Sequence, residues 1–482
     1  MSMAYRSAVE MAKAIADGEM GAVEALEAAL ARVDRFDGTL NAVCNRVDER
    51  AMERARTLDQ TRLRTADRGP LHGVPMTVKE GYDLVGAPTT WGRSDFAHNY
   101  PSVDAHAVRR FEQAGAVIFG KTNVPTDLRD WQSDNALYGR TVNPWDATRT
   151  PGGSSGGSAV ALAAGYSYLE AGSDIGGSLR NPAHYCGVCA HKPTYGIVPT
   201  LGHALGDKLV PSDISVCGPM ARGVEDLLLG FEIMSGVVGP EALAWQLTLP
   251  PARHPSLAGC RIAVVAHSAV CAVETSIAQR LCELADACEA QGAKVDRGAA
   301  LPVDARSAHR VYVRLLRAVM APSLTDREFE IQSTSASRLD DDDDSYPAQV
   351  TRALTQTYRD WFYAAEERVR MQRSWAEFFE SYDALLIPAA PTTAWMHDTT
   401  DKDDRVIQVD GARIGYYDQL FWAGLTGVVY LPSTVIPMGC DASGLPMGVQ
   451  IVGPYLEDHT ALSVARAIEN LTDGFVAPPG FG

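Results

Sequence analysis

The sequence predicts an α/β fold with a mostly parallel β-sheet that is covered by helices on both faces. Short apolar runs of strand length alternate with amphipathic segments of helical spacing along most of the chain. This alternation is the pattern of βαβ units. The 482 residues are 46% hydrophobic and 21% charged, a composition typical of a globular protein and not of a disordered one.

The N-terminal part predicts one helix and then a helix followed by a strand. Val23, Leu26, Leu30 and Val33 have the 3-4-3 spacing of one apolar helical face, which we expect to cover the sheet. The segment VRRFEQAGAVIFGKTN indicates a helix, a glycine stop and a β-rich strand.

The same order returns in the second half of the chain. CRIAVVAHS predicts a strand and GAKV the next one, and between them lies a helix with the apolar face Ile277, Leu281, Leu284 and Cys288. DALLIP, STVIP and MGVQIVG predict later strands, and a closing helix carries Leu462, Ala465 and Ile468. We therefore expect a single domain over residues 1–482.

The segment at about 300–380 differs because it is polar and helix-rich, and we expect a variable insertion or cap there. The run Asp340–Asp344 lacks the spaced ligands and the glycine turn of a calcium loop, so a solvated loop is expected. The next predicted helix carries Tyr358, Trp361, Phe362 and Tyr363. Packing in the core is favoured for these aromatic residues over a place at a substrate entrance.

Composition excludes several classes of function. The net charge is -17 and there is no basic block, which argues against binding of nucleic acid or of an anionic membrane surface. No stretch approaches the roughly 18 apolar residues of a membrane span. The N-terminal segment has acidic residues where a secretion signal needs an apolar core, so we expect a cytoplasmic protein.

The cysteines do not predict a disulfide framework or a metal site. There are nine of them, an odd number spread along a long chain, so reduced thiols are expected. Cys186 and Cys189 form a C-x-x-C pair with His184 and His191 nearby, but no second ligand pair lies at a usable spacing. We expect buried packing thiols, with no metal and no cofactor.

Residues 149–183 are rich in glycine and serine, with dense glycine clusters at 152–157 and 172–177. A flexible linker does not need the small apolar run SAVALAAG that joins the clusters. A phosphate-binding P-loop needs a lysine after its last glycine, and here Ser158 follows Gly157. A nucleophilic serine on a tight turn, with glycine amides forming an oxyanion hole, uses both residue types and is retained.

A serine nucleophile needs a base, either a histidine with a carboxylate or a lysine kept neutral by burial. The G-x-S-x-G elbow is absent around the candidate serines. Lys79 follows the strand-like run VPMTV, where a lysine would be desolvated and its pKa lowered. The alternative is an ordinary surface lysine at a strand end, and this segment alone leaves both open.

Several stretches together resemble the amidase signature family. They are GVPMTVKEGYDLVGAPTT, GKTNVP, NPWD, PGGSSGGSAVALAAG, GSDIGGSLRNPAHYCG, KPTYG and GLPMGVQIVGP. They occur in the order and spacing of that family and cover nearly the whole chain outside about 300–380. The resemblance implies the amidase signature fold, a large twisted mixed sheet, mostly parallel, with helices on both faces.

The resemblance also implies a Ser-Ser-Lys triad. It assigns the nucleophile to Ser178, the bridging serine to Ser154 and the base to Lys79, and it implies a cis peptide between Gly153 and Ser154. The oxyanion would be bound by the amides of Ile175, Gly176, Gly177 and Ser178. Around this centre we expect an Asp174–Arg180 pair and hydrogen bonds from Ser155 and Ser173, with ordinary loop polarity as the alternative.

Residues 128–131 line the acyl pocket in relatives, which implies substrate contacts for Leu128, Arg129 and Trp131 as well as Gly153. Trp131 indicates a wide apolar or aromatic wall. Arg129 either contacts a substrate carboxylate or faces solvent, and the sequence does not decide between them. Where relatives often have a glutamate after GKTNVP, this chain has Thr126.

The resulting prediction is an amidohydrolase that cleaves a small carboxamide, or a related aryl amide or carbamate, through an acyl-enzyme. One alternative is the hydrolytic subunit of a tRNA-dependent amidotransferase that uses glutamine, although the apolar FWAGLTGVVYLPS does not suggest a glutamine site. Another alternative is a catalytically idle binding protein. Neither the acyl group nor the leaving group follows from the sequence, and a homodimer is left open.

Overall fold

The computed structural model describes residues 3–61, 68–206 and 208–482, which form an α/β structure around one large sheet. The α-helices are α1 (Ala8–Ala16), α2 (Ala22–Leu40), α3 (Asp48–Gln60), α4 (His106–Gln113), α5 (Gly156–Ala163), α6 (Arg180–Cys186), α7 (Val224–Met234), α8 (Thr275–Ala290), α9 (Ala305–Met320), α10 (Asp326–Ala336), α11 (Tyr346–Leu354), α12 (Tyr358–Ser381), α13 (Leu420–Gly427) and α14 (Asp458–Glu469). The strands are β1 (Val43–Arg46), β2 (Pro75–Lys79), β3 (Val117–Thr122), β4 (Asp134–Asn135), β5 (Gly139–Arg140), β6 (Glu170–Asp174), β7 (Cys189–Lys192), β8 (Val216–Ala221), β9 (Arg261–Val264), β10 (Lys294–Asp296), β11 (Ala384–Pro388), β12 (Val406–Val409), β13 (Ala412–Gly415), β14 (Ser433–Cys440) and β15 (Pro446–Val452).

The main sheet has eleven strands in the order β1-β3-β2-β6-β8-β7-β14-β15-β11-β9-β10. Parallel pairs lie towards its two sides: β3 with β2 and β2 with β6 on one, β11 with β9 and β9 with β10 on the other. The central pairs and the edge pair β1-β3 are antiparallel. The α/β class with a mixed sheet is confirmed, but the antiparallel pairs outnumber the parallel ones, so "mostly parallel" is wrong.

The antiparallel centre has a local cause in the sequence. A short turn joins β14 to β15, and in it Asp441 Oδ1 accepts hydrogen bonds from the N–H groups of Ser443 and Leu445. A connection this short joins antiparallel neighbours, whereas parallel strands need a crossover of a dozen or more residues. The helix–strand alternation therefore describes only the flanks, where α4 precedes β3 and α8 lies between β9 and β10.

The elements predicted from periodicity are present. Leu26 and Val33 lie on the buried face of α2, and α4 ends just before Gly115, whose φ is +96°. The predicted apolar face of α8 is buried, namely Ile277, Leu281, Leu284 and Cys288. No helix within the described ranges has both the length and the apolar character needed to cross a membrane.

The polar segment between β10 and β11 forms helices α9 to α12, as its composition predicted. The run Asp340–Asp344 lies in the largely exposed connection between α10 and α11. Arg352 holds this loop by donating to the carbonyl oxygens of Asp340 and Asp343. The solvated loop expected from the sequence is therefore confirmed.

Of the four aromatic residues at the start of α12, Trp361 is partly buried and packs against the core, but the prediction is wrong for the other three. Tyr358 is 78% exposed, Phe362 46% and Tyr363 52%. The buried stripe of α12 runs instead through Ala364 to Phe379. Helical spacing turns the three exposed rings away from this stripe, although residue type alone favours burial.

Candidate active site

The carboxyl ends of two neighbouring parallel strands bring the first candidate residues together. Lys79 ends β2, and Ser173 and Asp174 end β6. Val78 lies opposite Ala171 in the parallel register, so both strands end at the same edge of the sheet. Lys79 Nζ consequently donates a hydrogen bond of 2.9 Å to Ser173 Oγ.

The Lys79 side chain is completely buried, and its amine also donates to Ser154 Oγ at 2.7 Å. Burial lowers the pKa of Lys79 from its ordinary value to about 7, although the carboxylate of Asp174 acts in the opposite direction. A lysine with this pKa is neutral in a large fraction of molecules near pH 7 and can accept a proton. The alternative of an ordinary surface lysine is wrong.

The peptide between Gly153 and Ser154 is cis, which the family resemblance implied. A Cβ on Gly153 would lie 2.3 Å from the carbonyl oxygen of Asp130 and 3.0 Å from Trp131 Cα. Only glycine allows these two stretches of backbone to approach this closely. The close approach of these backbones, next to Ser154, therefore requires glycine at position 153.

Ser154 and Ser178 lie on loops that contact each other through the backbone. The Ser155 N–H donates to the Ser178 carbonyl oxygen at 3.2 Å, and Ser155 Oγ accepts the Ser173 N–H at 3.4 Å. Ser154 is 1% exposed and Ser178 7% exposed. Among the hydrogen bonds of the described residues, none joins the two hydroxyl groups of Ser154 and Ser178. Such bonds are often long or poorly aligned before a substrate binds.

A buried ion pair fixes the loop that carries Ser178. Arg180 Nη2 and Nε donate to the two carboxylate oxygens of Asp174 at 2.8 and 3.0 Å. Arg180 Nη1 donates to the Ala423 carbonyl oxygen at 3.0 Å and so ties the loop to α13. Burial alone would raise the pKa of Asp174, but Arg180 and two backbone N–H groups of the loop lower it to about 2. The carboxylate is therefore ionised at neutral pH.

The four amides expected to bind an oxyanion are not equivalent. The Gly177 N–H donates to Asp174 Oδ1 at 2.9 Å, so it already has an acceptor. The N–H groups of Ile175, Gly176 and Ser178 form no hydrogen bond within the part of the chain that is described. The role of Gly177 in binding an oxyanion therefore stays a prediction. Its φ of +98° favours glycine and allows the tight turn before Ser178.

Two aromatic side chains donate hydrogen bonds to carbonyl oxygens of the loop that carries Ser178. Trp131 Nε1 donates to the Gly176 carbonyl oxygen at 3.1 Å, and the Tyr312 hydroxyl donates to the Ile175 carbonyl oxygen at 2.7 Å. In a planar trans peptide the C=O and the following N–H point in opposite directions. The bond from Tyr312 therefore directs the Gly176 N–H away from α9.

Tyr312 was missed by the sequence reasoning. Its place on an amphipathic helix predicts only a packing role. The sequence signal that could have found it is Gly424 in FWAGLTG, because a glycine in a helix can leave space for a large side chain from a neighbouring helix. A Cβ on Gly424 would lie 2.1 Å from the Tyr312 ring. This glycine leaves the space into which the ring packs beside the Ser178 loop.

Leu128 is the last residue of the short 3₁₀ turn Thr126–Leu128, and Arg129 follows it. Leu128 Cδ1 lies 3.3 Å from the place of a Cβ on Gly81, close to the end of β2. Arg129 is half-buried, and its Nη2 donates to Ser323 Oγ at 2.6 Å. The side chain therefore turns towards the end of α9 and does not simply face solvent.

Cys186 and Cys189 of the C-x-x-C pair are buried, as expected. Cys186 Sγ lies 3.4 Å from the Pro151 carbonyl oxygen, and both ring nitrogens of His184 bond to backbone groups. His191 bonds to Asp458. In residues 3–61, 68–206 and 208–482, no group of three or more His, Cys, Asp or Glu side chains has the arrangement of a metal site.

A cavity of about 780 Å³ opens among α9, α11 and α12. Most of the residues that line it are polar or charged, and they include Arg310, Arg314, Arg352 and Asp344. None of the candidate site residues lines it. The cavity belongs to the helical segment and is separate from the Lys79–Ser178 centre.

Comparisons with known proteins agree with the family expected from the motifs. The family model described as Amidase matches residues 24–462. The chain is 31% identical to a glutamyl-tRNA(Gln) amidotransferase subunit of Moorella thermoacetica, over 100% of both chains. It is 33% identical to an indoleacetamide hydrolase of Bradyrhizobium diazoefficiens, over 96% of this chain and 86% of the relative.

Solved structures show the same fold over the whole length. A 6-aminohexanoate cyclic dimer hydrolase in complex with its substrate superposes with a TM-score of 0.80 at 26% identity, covering 99% of each chain. A crystal structure of an amidase superposes with a TM-score of 0.77 at 26% identity, covering 97% of this chain and 100% of the other.

Proposed function

Because the chain belongs to the amidase family, we propose that it hydrolyses the C–N bond of a small carboxamide through an acyl-enzyme on Ser178. Two of the similar proteins are hydrolases named for amides, indoleacetamide and the 6-aminohexanoate cyclic dimer. The proposed catalytic residues are Lys79, Ser154 and Ser178. The chain acts as one domain, with α9 to α12 as an insertion at about 300–380, and the reaction uses no cofactor.

One observation carries this proposal: a fully buried lysine donates a hydrogen bond of 2.7 Å to Ser154 Oγ. A charged lysine without a carboxylate ligand is unstable in such a place, and burial lowers the pKa of Lys79 to about 7. A structural role does not require an amine here, because an apolar side chain of the same length would fill the space at lower cost. A base for a serine nucleophile does require it.

The proposed reaction begins with neutral Lys79. Ser178 Oγ attacks the carbonyl carbon while its proton passes to Ser154, whose own proton passes to Lys79 Nζ. The C–O bond forms and the carbonyl π electrons move to oxygen, which gives a tetrahedral intermediate. When this collapses, the C–N bond breaks, and the proton on Lys79 returns through Ser154 to the leaving nitrogen. Water then cleaves the acyl-enzyme through the same relay.

Negative charge on the tetrahedral oxygen is stabilised by the amides of Ile175, Gly176 and Ser178. Losing one such donor typically raises the barrier by about 3 kcal/mol. Asp174 does not take part in proton transfer in this scheme, because its carboxylate is committed to Arg180 and to the loop amides. Its function is to hold the loop in the shape that points those amides to one side.

The second candidate is the hydrolytic subunit of an amidotransferase, favoured by the 31% identity to such a protein over 100% of both chains. This function requires glutamine as the amide and a partner that accepts ammonia. The stretch FWAGLTGVVYLPS is apolar and aromatic and does not suggest a polar glutamine site. We therefore rank hydrolysis of a free carboxamide first.

The test combines active-site labelling with a substrate panel. A fluorophosphonate should label Ser178 alone, and Ser178→Ala should lose both the label and at least about 10³-fold in kcat. The matched control is Ser158→Ala, another buried serine of the glycine-rich segment, whose Oγ bonds to Thr122 Oγ1. This control should keep the label. Label on a different residue, or near-normal turnover by Ser178→Ala, contradicts the proposed nucleophile.

The panel separates the two candidate functions. The purified chain is assayed alone with aliphatic amides, aryl amides, esters, carbamates and glutamine. Hydrolysis of simple amides without a partner supports the hydrolase. Strict dependence on glutamine, together with a second protein that copurifies, supports the amidotransferase.

A further inference from the structure

Two arginines beside the candidate acyl pocket, Arg129 and Arg317, form no ion pair with a carboxylate in the described part of the chain. A shortage of acidic residues does not explain this, because the protein has 60 Asp and Glu against 43 Lys and Arg. The neighbouring Arg93 shows the usual arrangement and pairs with Asp95 at 2.6 Å and Asp127 at 3.3 Å. Asp127, the nearest acidic residue in sequence to Arg129 on its N-terminal side, is thus already engaged.

Both guanidinium groups keep unused hydrogen-bond donors. Each has five N–H groups. Among the described residues, Arg129 donates only to Ser323 Oγ. Arg317 donates from Nη2 to the Tyr346 hydroxyl and from Nη1 to Met320 Sδ at 3.2 Å, and its Nε is buried with no acceptor in the described ranges. A buried donor without an acceptor costs about 1–3 kcal/mol, so a ligand oxygen at this place would be stabilising.

The Arg317 guanidinium lies beside a stacked pair of aromatic rings. Its Cζ lies 5.6 Å from the ring centre of Tyr346 and 5.3 Å from that of Tyr417. The two tyrosines stack on each other with ring centres 4.7 Å apart and an interplanar angle of 18°. A planar cation packed in this way loses little conformational entropy when it binds a carboxylate.

Other charges near the pair do not neutralise it. Burial lowers the pKa of Arg129, and the charges of Arg317 and Arg93 lower it further, while Asp127 opposes them. Lys402 Nζ adds a third cation and donates to the Arg129 carbonyl oxygen at 3.3 Å. On the far side, Asp403 accepts a hydrogen bond of 3.2 Å from the Tyr417 hydroxyl.

Two sets of side-chain contacts connect the arginines to the Ser178 loop. Trp131, which donates to Gly176, lies 6.3 Å from the Tyr417 ring that faces Arg317. On α9, Tyr312 bonds to the Ile175 carbonyl oxygen, and Arg317 follows five residues later. These contacts place Arg317 in the same aromatic cluster as Trp131, which bonds to the Ser178 loop.

We propose that Arg129 and Arg317 together bind a carboxylate at the far end of the acyl group, so that the preferred substrates are monoamides of dicarboxylic acids. The proposal rests on the acyl-enzyme function above. The six-carbon monoamide adipamate represents this substrate class in the test.

The test compares adipamate with hexanamide, which has the same length but no carboxylate. The wild-type kcat/KM should favour adipamate by at least about 10-fold. Arg129→Gln and Arg317→Gln should each lower kcat/KM for adipamate by about 10- to 100-fold, mainly through KM, and change hexanamide less than about twofold. Arg314→Gln is the matched control: it lies on the same helix, pairs with Asp360 and should leave both substrates unchanged.

Equal rates on both amides in the wild type, or equal losses on both in the variants, overturn the carboxylate site and leave the proposed function standing. If neither amide is hydrolysed and Ser178 is not labelled, the proposed function fails. Calorimetric binding of adipate itself then tests the site. Adipate that binds the wild type and binds Arg129→Gln at least about 10-fold more weakly supports it, and no binding to the wild type overturns it.

Discussion

Lys79 acts as a base and then as an acid in the proposed reaction, and its environment suits both. Its amine contacts Ser154 and Ser173 and has no exposed surface. Because burial lowers its pKa to about 7, neither the neutral nor the charged form is rare near neutral pH. A lysine with its ordinary pKa would be a poor base at this pH, and one with a much lower pKa would be a poor acid.

The first prediction concerns the pH dependence of amide hydrolysis. Lys79 must be neutral to begin the reaction, so kcat/KM should rise with pH through an apparent pKa near 7 and then level off. His203 is the control: burial, with the charge of Lys79 adding to it, lowers the pKa of its imidazole to about 3. His203→Gln should therefore keep the rise. A pH profile that becomes flat in His203→Gln would assign the rise to the histidine.

The second prediction separates the two duties of Lys79. In Lys79→Ala, hydrolysis of an aryl amide should fall by at least about 10-fold more than hydrolysis of the matched phenyl ester. The reason is that an amine must be protonated to leave, whereas a phenolate leaves without a proton. Both substrates are assayed in both proteins under single-turnover conditions. Equal losses on the two would show that Lys79 does not protonate the leaving group.

At the scale of elements, the strand that ends at Lys79 could be predicted from the run VPMTV. The strand β6 and its pairing with β2 could not, because the run before Asp174 contains an acidic residue and a glycine and has no strand-like pattern. The Gly177 N–H looks equivalent to its neighbours in the sequence, because the acceptor it finds depends on where Arg180 holds the Asp174 carboxylate. The antiparallel centre of the sheet was missed because alternation of helices and strands is visible only at its flanks.

The third prediction concerns the contact between α9 and the Ser178 loop. Tyr312→Phe removes the donor to the Ile175 carbonyl oxygen and leaves the ring packed against Gly424. A lost hydrogen bond of about 0.5–1.5 kcal/mol corresponds to a two- to tenfold fall in kcat, with KM little changed, because only the alignment of the Gly176 N–H is affected. Tyr168→Phe is the matched control, since its hydroxyl also donates to a backbone carbonyl, that of Met3.

Tyr168→Phe should keep full activity. A change in KM alone, or an equal fall in kcat in both variants, would show that the Tyr312 bond supports general packing and not the oxyanion loop. Tyr312 is a positioning residue in this account, because it reaches the reacting atoms only through the backbone.

At the scale of the whole molecule, burial shifts the pKa values of several ionisable groups. These shifts have opposite effects on how the stability of the fold changes with pH. Glu170 is completely buried in β6, and burial raises the pKa of its carboxyl to about 8, against the effect of hydrogen bonds from Thr77 and Ser158. Burial lowers the pKa of Lys79 and of Lys192 to about 7. These groups belong to the same sheet, so their titration is coupled to global unfolding.

The signs of these effects are opposite. Between pH 4.5 and 8 folded Glu170 holds a proton that the unfolded chain has lost, so stability falls as pH rises. Between pH 7 and 10.5 the unfolded chain binds protons that folded Lys79 and Lys192 have lost, so stability rises with pH. These three groups together place a minimum of stability near pH 7, where Lys79 begins to act as a base.

The last prediction tests this minimum through Glu170, whose carboxyl takes no part in the proposed reaction. Glu170→Gln keeps an acceptor for Thr77 and removes the titration. The free energy of unfolding of the variant minus that of wild type should therefore increase from about pH 5 to about pH 8, by roughly 1–3 kcal/mol. Urea denaturation at the two pH values measures this, with Glu366→Gln on the exposed side of α12 as the control. A difference that does not change with pH would show that Glu170 is ionised in the folded protein. Amide hydrolysis by Glu170→Gln should keep its rise near pH 7, because that rise belongs to Lys79.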